Sequence, residues 1–243
     1  MTIRKHYVDT AIGQVHGLTA GPEGGVPLVL LHQTSDAATM YEPVLPVFAA
    51  KGYRVVAIDV PGQGNSAKPQ HQPSGEEFAA WTHEAATAFG FTSYHLLGHH
   101  FGGTVAGFMA AEYPQDVKSF MVYGWTDIKG TDWANDMVNA KPRVFDPEGD
   151  IVKHHWTRRW EMSGRELEDP SENRFTEAMG LRTMIALLQA GPTWYYAYHI
   201  IGSADHKELA ARISCPVLMF AGPRDHIYNE SRDAVPYFPN AKW

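Results

Sequence analysis

A histidine stands where a nucleophile would be presented. In 97-LGHHFGG-103, Gly98, His100 and Gly102 keep the spacing of the G-x-S-x-G turn that joins a buried strand to a helix, with Gly103 as an extra small residue. Such a turn aims its central side chain into a pocket at the start of the helix. A neutral imidazole there is itself a nucleophile that needs no partner base, and an acyl-imidazole is labile to water. It is equally a general base for a water or for a substrate C–H or O–H. The alternative is that the substitution disables the site and leaves a ligand-binding scaffold. These three readings of His100 stay open in the sequence.

Other residues fall where they would serve the same pocket. A strand-like run, 28-LVLL-31, leads into His32-Gln33-Thr34, and a second, 217-VLMF-220, leads to Asp225. Oxyanion stabilisation is expected from the backbone N–H of Phe101 together with one from the Gln33–Thr34 loop. The Gln33 side chain could also donate to a substrate carbonyl, while His32 is expected to brace the loop. Tyr123 and Trp125 flank the end of another strand and are candidate pocket walls. Asp127 lies just beyond. The thirteen histidines raise the question of a metal. However, His95 and His99 on a strand should not both face His100, and no His, Cys and carboxylate set has a recognised ligand spacing. Neither a metal nor an organic cofactor is expected.

The elements that must position these residues alternate. Residues 3–19 read as a hairpin around Gly13, with Ile12, Val15 and Leu18 facing inward. Short apolar runs at Val26–Leu31, Arg54–Asp59, Tyr94–Leu97, Ser119–Gly124 and Pro216–Gly222 read as strands buried on both faces. Helical patterns cover Met40–Lys51, Gly75–Phe89 and Gly102–Tyr113. This order predicts an α/β fold with a mostly parallel central sheet and helices on both faces. From Trp125 to about Ala210 the strand pattern stops, which is too long for an ordinary connection. The expected organisation is a first core segment over residues 1–124, a helical cap over 125–210, and a second core segment over 211–243. Five tryptophans fall in the middle segment (Trp125, Trp133, Trp156, Trp160 and Trp194), where they either line an apolar pocket or pack the cap onto the sheet.

Taken together, these marks resemble the α/β-hydrolase superfamily. The likeness rests on 28-LVLLHQTS-35, 58-IDVPGQGNS-66, 97-LGHHFGG-103 and 216-PVLMFAGPRDHIY-228, in that order, and covers about 200 of the 243 residues. It implies an enzyme, most simply a cofactor-independent hydrolase of a small apolar ester, lactone or related carbonyl compound. It also implies that Asp225 aligns with the triad acid, and that Asp127 stands where some relatives place an alternative acid. The alternatives are a non-catalytic small-molecule binder and a non-hydrolytic enzyme of the same fold, performing C–C cleavage, proton abstraction or cofactor-free oxygenation. An aspartate in place of His100 would have pointed to dehalogenation or epoxide opening, and histidine argues against both. The resemblance places a catalytic histidine on a loop after the last strand. This sequence stops at Trp243, 18 residues past Asp225, so it reads as a fragment lacking the last strand, the histidine loop and a terminal helix.

Composition sets the setting. Hydrophobic residues make up 44% and charged residues 19%, as in a globular protein with a large core. A net charge of −7 disfavours nucleic acid as a partner and suits a small neutral substrate. A single cysteine, Cys215, together with the lack of a leader-like or membrane-spanning run, leads us to expect a cytoplasmic protein without membrane association. The sequence leaves a homodimer open.

Overall fold

A computed structural model describes residues 2–34, 36–139, 148–162 and 177–243. The chain opens as a hairpin. β1 (Arg4–Thr10) and β2 (Gly13–Ala20) pair antiparallel, and β2 continues antiparallel onto β4 (Tyr53–Ile58). Val15 and Leu18 are fully buried, and Ile12 is half-buried against the core. From there the pairing is parallel through β3 (Val26–Leu31), β5 (Tyr94–His99), β6 (Val117–Tyr123), β7 (Val217–Phe220) and β8 (Ala241–Lys242). Among the described residues the sheet has eight strands, in the order β1-β2-β4-β3-β5-β6-β7-β8. Ala241 and Lys242 pair parallel with β7, so a short strand lies beyond it where none was expected from the sequence.

The unbroken apolar runs are explained by where alternate residues go. Val29, Leu31, Val56 and Ile58 enter one buried cluster with Phe78, Phe101 and Val105. Their neighbours Leu28, Leu30, Val55 and Ala57 enter a second cluster with Tyr41, Leu45 and Ala49. Side chains alternate across a strand, so a sheet covered on both faces needs apolar residues at every position. The first cover is α2 (Gly75–Ala88) and α3 (Phe101–Glu112). α2 starts at a capping box in which Ser74 and Glu77 satisfy each other's backbone N–H groups. The second cover includes α1 (Leu45–Ala50). The expected helix over Met40–Lys51 is therefore two pieces, a 3-10 turn at Ala38–Tyr41 and α1. Pro43 cannot sit in a continuous helix, whereas Pro46 fits the first turn of α1, where its missing N–H costs nothing.

Between β6 and β7 the chain forms α4 (Asp132–Val138), α5 (Asp150–Met162), α6 (Glu177–Ala190), α7 (Tyr196–Ser203) and α8 (His206–Ala211). Ile200, Ile201 and Leu209 from the last two join the same core as α3. After β7 comes the short helix α9 (Tyr228–Asp233). Among the described residues, no helix is long and apolar enough to cross a membrane.

Candidate active site

His100 ends β5 and begins α3 in a conformation of φ 46° and ψ −109°, the only non-glycine residue at positive φ among those described. Such a backbone costs about 1–3 kcal/mol and persists only where the surroundings fix it. Here they do. The His100 N–H donates to the Tyr123 carbonyl at 2.9 Å, and its own carbonyl accepts from the Thr104 N–H at 3.0 Å, starting the helix. The flanking glycines are steric necessities: a Cβ on Gly98 would lie 2.3 Å from the Gly102 oxygen, and one on Gly102 would lie 2.2 Å from the Leu31 oxygen.

The imidazole so presented meets a carboxylate. Beyond β7, the Asp225 N–H donates to the Gly222 carbonyl at 2.9 Å, closing a turn. Oδ1 of Asp225 accepts the Ile227 N–H at 3.1 Å, and Oδ2 lies 2.9 Å from Nε2 of His100. Burial alone would raise the Asp225 pKa, but the His100 hydrogen bond and the Ile227 N–H outweigh it and hold the carboxyl at about 2. The pair is only slightly exposed. Gly124 makes room for the ring, since a Cβ there would lie 2.3 Å from Cδ2 of His100.

His99 packs edge-on against both His100 and Tyr123, with ring centroids 4.6 and 4.4 Å away. Burial, reinforced by His100, pushes its pKa down to about 3. The Tyr123 hydroxyl accepts the Gly222 N–H at 3.0 Å, and burial raises its pKa.

A pocket of about 80 Å³ opens beside His100. Its walls are Gln33 and Thr34 from the loop after β3, Thr126, Trp133 and Met137 around α4, His155, Tyr198 and Ile201 from the later helices, and His226. His32 braces the loop: Nε2 accepts the Val60 N–H at 3.1 Å, which leaves Nδ1 to donate to the Gln33 carbonyl at 2.8 Å. Phe101 is the first residue of α3, so its N–H has no carbonyl within the helix to donate to. That group, the Gln33–Thr34 loop and the His100 ring thus share one end of the sheet.

The sequence pattern of the alpha/beta hydrolase fold matches residues 26–148, just over half of the chain. The chain belongs to the α/β-hydrolase family. It is 31% identical over 117 residues to an uncharacterized carboxylesterase of Bacillus subtilis (strain 168), a stretch covering 48% of this chain and 39% of that protein. Over 230 residues it is 25% identical to a fluoroacetate dehalogenase of Burkholderia sp, covering 82% of this chain and 71% of the relative. Among solved structures, the enol-lactonase of Burkholderia xenovorans LB400 superposes with a TM-score of 0.75 at 16% identity, covering 98% of this chain and 89% of that one. At that identity the likeness is one of fold.

Within this α/β-hydrolase fold, the residues singled out in the sequence divide. His100, Gln33 and Thr34 line one pocket, with Asp225 bonded to His100, Phe101 next to it at the start of α3, and Tyr123 packed against His99. Trp125 does not line it. Its ring is buried between Phe120, His206 and Phe238, at centroid distances of 6.1, 5.2 and 5.0 Å, and Gly107 of α3 leaves the space it fills. Asp127 also lies elsewhere, hydrogen-bonded to the Tyr237 hydroxyl. Of the other tryptophans, Trp133 is a pocket wall, Trp156 is exposed, and Trp194 packs against His155 and Tyr198. The side chain of Trp160 lies outside the described residues. His95 sits four residues before His99, near the start of β5, and bonds Ser119 Oγ at 2.7 Å. Sequence reasoning missed His226, Gly124, Met137, His155 and Tyr198 as parts of the site, because no local pattern marks a residue that only tertiary packing brings to a pocket.

Proposed function

We propose that the chain hydrolyses a small apolar ester or lactone, with His100 as general base on water and Asp225 holding the imidazole. The observation that carries this reading is the 2.9 Å contact between His100 Nε2 and Asp225 Oδ2. With the carboxylate ionised, the proton between them sits on Nε2, leaving Nδ1 as the basic atom. Nδ1 takes a proton from water as the oxygen attacks the substrate carbonyl. The developing oxyanion is held by the Phe101 N–H and an N–H of the Gln33–Thr34 loop. The imidazolium then returns the proton to the leaving alcohol, releasing acid and alcohol with no cofactor required.

We further read residues 125–210 as a cap whose Trp133, Met137, Tyr198 and Ile201 give the site an apolar wall. That lining, and the likeness to a carboxylesterase by name, support a small ester or related carbonyl compound as substrate. The fluoroacetate dehalogenase likeness is read as shared ancestry rather than shared chemistry, because the attack on a carbon–halogen bond implied by an elbow aspartate has no counterpart at His100. Hydrolysis of short aryl esters and small lactones, compared between the native chain and His100→Ala, tests the proposal. Equal rates would remove His100 from the mechanism. Saturable binding without product would instead favour a non-catalytic binder. A stoichiometric burst of phenol would make His100 a nucleophile rather than a base.

A further inference from the structure

We propose that His99, His100 and Asp225 form a binding site for one divalent transition-metal ion, zinc first among them. One donor atom from each lies within 4.8 Å of the other two. Two imidazoles and a carboxylate are a donor set that zinc and other first-row divalent ions accept. With bonds of about 2.0–2.2 Å to an ion in tetrahedral geometry, neighbouring donor atoms stand about 3.3–3.6 Å apart. His100 Nε2 and Asp225 Oδ2, now hydrogen-bonded at 2.9 Å, need to open only by about half an ångström to reach it. The His99 ring has the larger movement to make, inward from within 4.8 Å, and among the described residues it gives up no side-chain hydrogen bond in doing so.

Adjacent residues on a strand point to opposite faces, so His99 and His100 should not share a ligand. The positive φ at His100 breaks that alternation and brings the two rings to 4.6 Å. The third donor comes from a turn 125 residues away, so no ligand spacing shows in the sequence. Asp225 is further fixed through Oδ1 by the Ile227 N–H, as an outer contact fixes a ligating carboxylate. Of the three donor residues, His100 also lines the pocket.

An ion here takes the same Asp225 oxygen that accepts the His100 proton. Resting on the hydrolytic reading above, bound metal therefore inhibits metal-free turnover, and a chelator restores it. The binding itself is tested without turnover. The chelator-treated chain is titrated with Co²⁺, followed by visible d–d absorption, and with Zn²⁺, followed by calorimetry and thermal unfolding. We expect one ion per chain. Loss of outer-shell partners already weakens metal affinity about 10–100-fold, so His99→Ala is expected to weaken Zn²⁺ at least about 100-fold. Asp225→Asn, which keeps the side-chain shape, carries the same expectation if His99→Ala does not fold. Absence of stoichiometric binding, or equal affinity in the native chain and a folded variant, overturns the site. An active chain that binds no metal leaves the hydrolytic reading standing, and an inactive chain that binds metal leaves the site standing.

Discussion

Asp225 and His100 share a 2.9 Å hydrogen bond across 125 residues of chain. In the family pattern the acid orients a separate histidine, which in turn serves the elbow residue. Here the acid reaches the elbow residue directly, and in the mechanism proposed above that side chain is the base. Asp225→Asn is therefore expected to lower kcat by about 10²–10⁴-fold, the range of a general base that has lost its orientation, with a smaller effect on KM. Because the two residues act as a unit, the double variant with His100→Ala should be little worse than His100→Ala alone. Steady-state kinetics on aryl esters decides it, and an unchanged kcat in Asp225→Asn would end the dyad reading.

Gly124 is the steric counterpart of that pair. Its φ is +74°, and an added Cβ would stand 2.3 Å from Cδ2 and 2.5 Å from Nε2 of His100. Gly124→Ala forces either the backbone or the ring to shift. We expect about 1–3 kcal/mol of lost stability and a fall in kcat of about 100-fold, the penalty for a displacement near 1 Å. Urea unfolding and kinetics report the two separately. Full activity would mean that the imidazole is not confined by this wall.

How much of this was legible depended on whether local pattern or tertiary packing decides. β3 matches its predicted span, Val26–Leu31, because burial on both faces writes itself as an unbroken apolar run. The elbow was legible because its glycines answer to backbone crowding within a few residues. Trp125 was not, since a tryptophan after a strand reads alike whether it lines a pocket or fills the space above Gly107. The meeting of His99, His100 and Asp225 was hidden for a different reason. The strand rule of alternating faces is sound for β5, and it fails at the one residue where φ changes sign.

A second buried carboxylate, Asp59, is expected to contribute to the pH dependence of stability in acid. Asp59 Oδ2 lies 2.9 Å from His16 Nδ1 and accepts the Asn65 N–H at 2.8 Å, while Oδ1 accepts the Ala38 N–H at 2.6 Å. Burial would raise its pKa, but the His16 hydrogen bond, the nearby His32 and these N–H groups together lower it. A depressed carboxyl stabilises the fold fully above the ordinary aspartate value of about 3.9, and that contribution is lost as pH falls through the lower folded value. Asp59→Asn should cost about 3 kcal/mol at neutral pH, with the gap to the native chain narrowing as pH drops below 4. Urea midpoints across that window test it, and a gap that stays constant would refute the linkage.

Arg182 of α6 ties the intervening helices to the loop that carries Gln33 and Thr34. Its Nη2 and Nε reach Asp36 at 3.1 and 3.3 Å, and the fully buried Asp36 carboxylate otherwise takes the Ala37 N–H at 3.0 Å. Removing the cation strands a buried charge, a loss of about 3–5 kcal/mol. Arg182→Ala is therefore expected to lower the urea midpoint markedly. It should also raise KM more than it lowers kcat, because the loop loses its tether while the His100–Asp225 pair stays in place. Arg182→Lys should recover only part of the loss, since an ammonium cannot reproduce the two-pronged contact of the guanidinium. Adding Asp36→Asn to Arg182→Ala should restore stability by removing the unpaired charge. If the double variant is as unstable as Arg182→Ala alone, the defect lies in the lost packing of the arginine stem and not in the buried carboxylate.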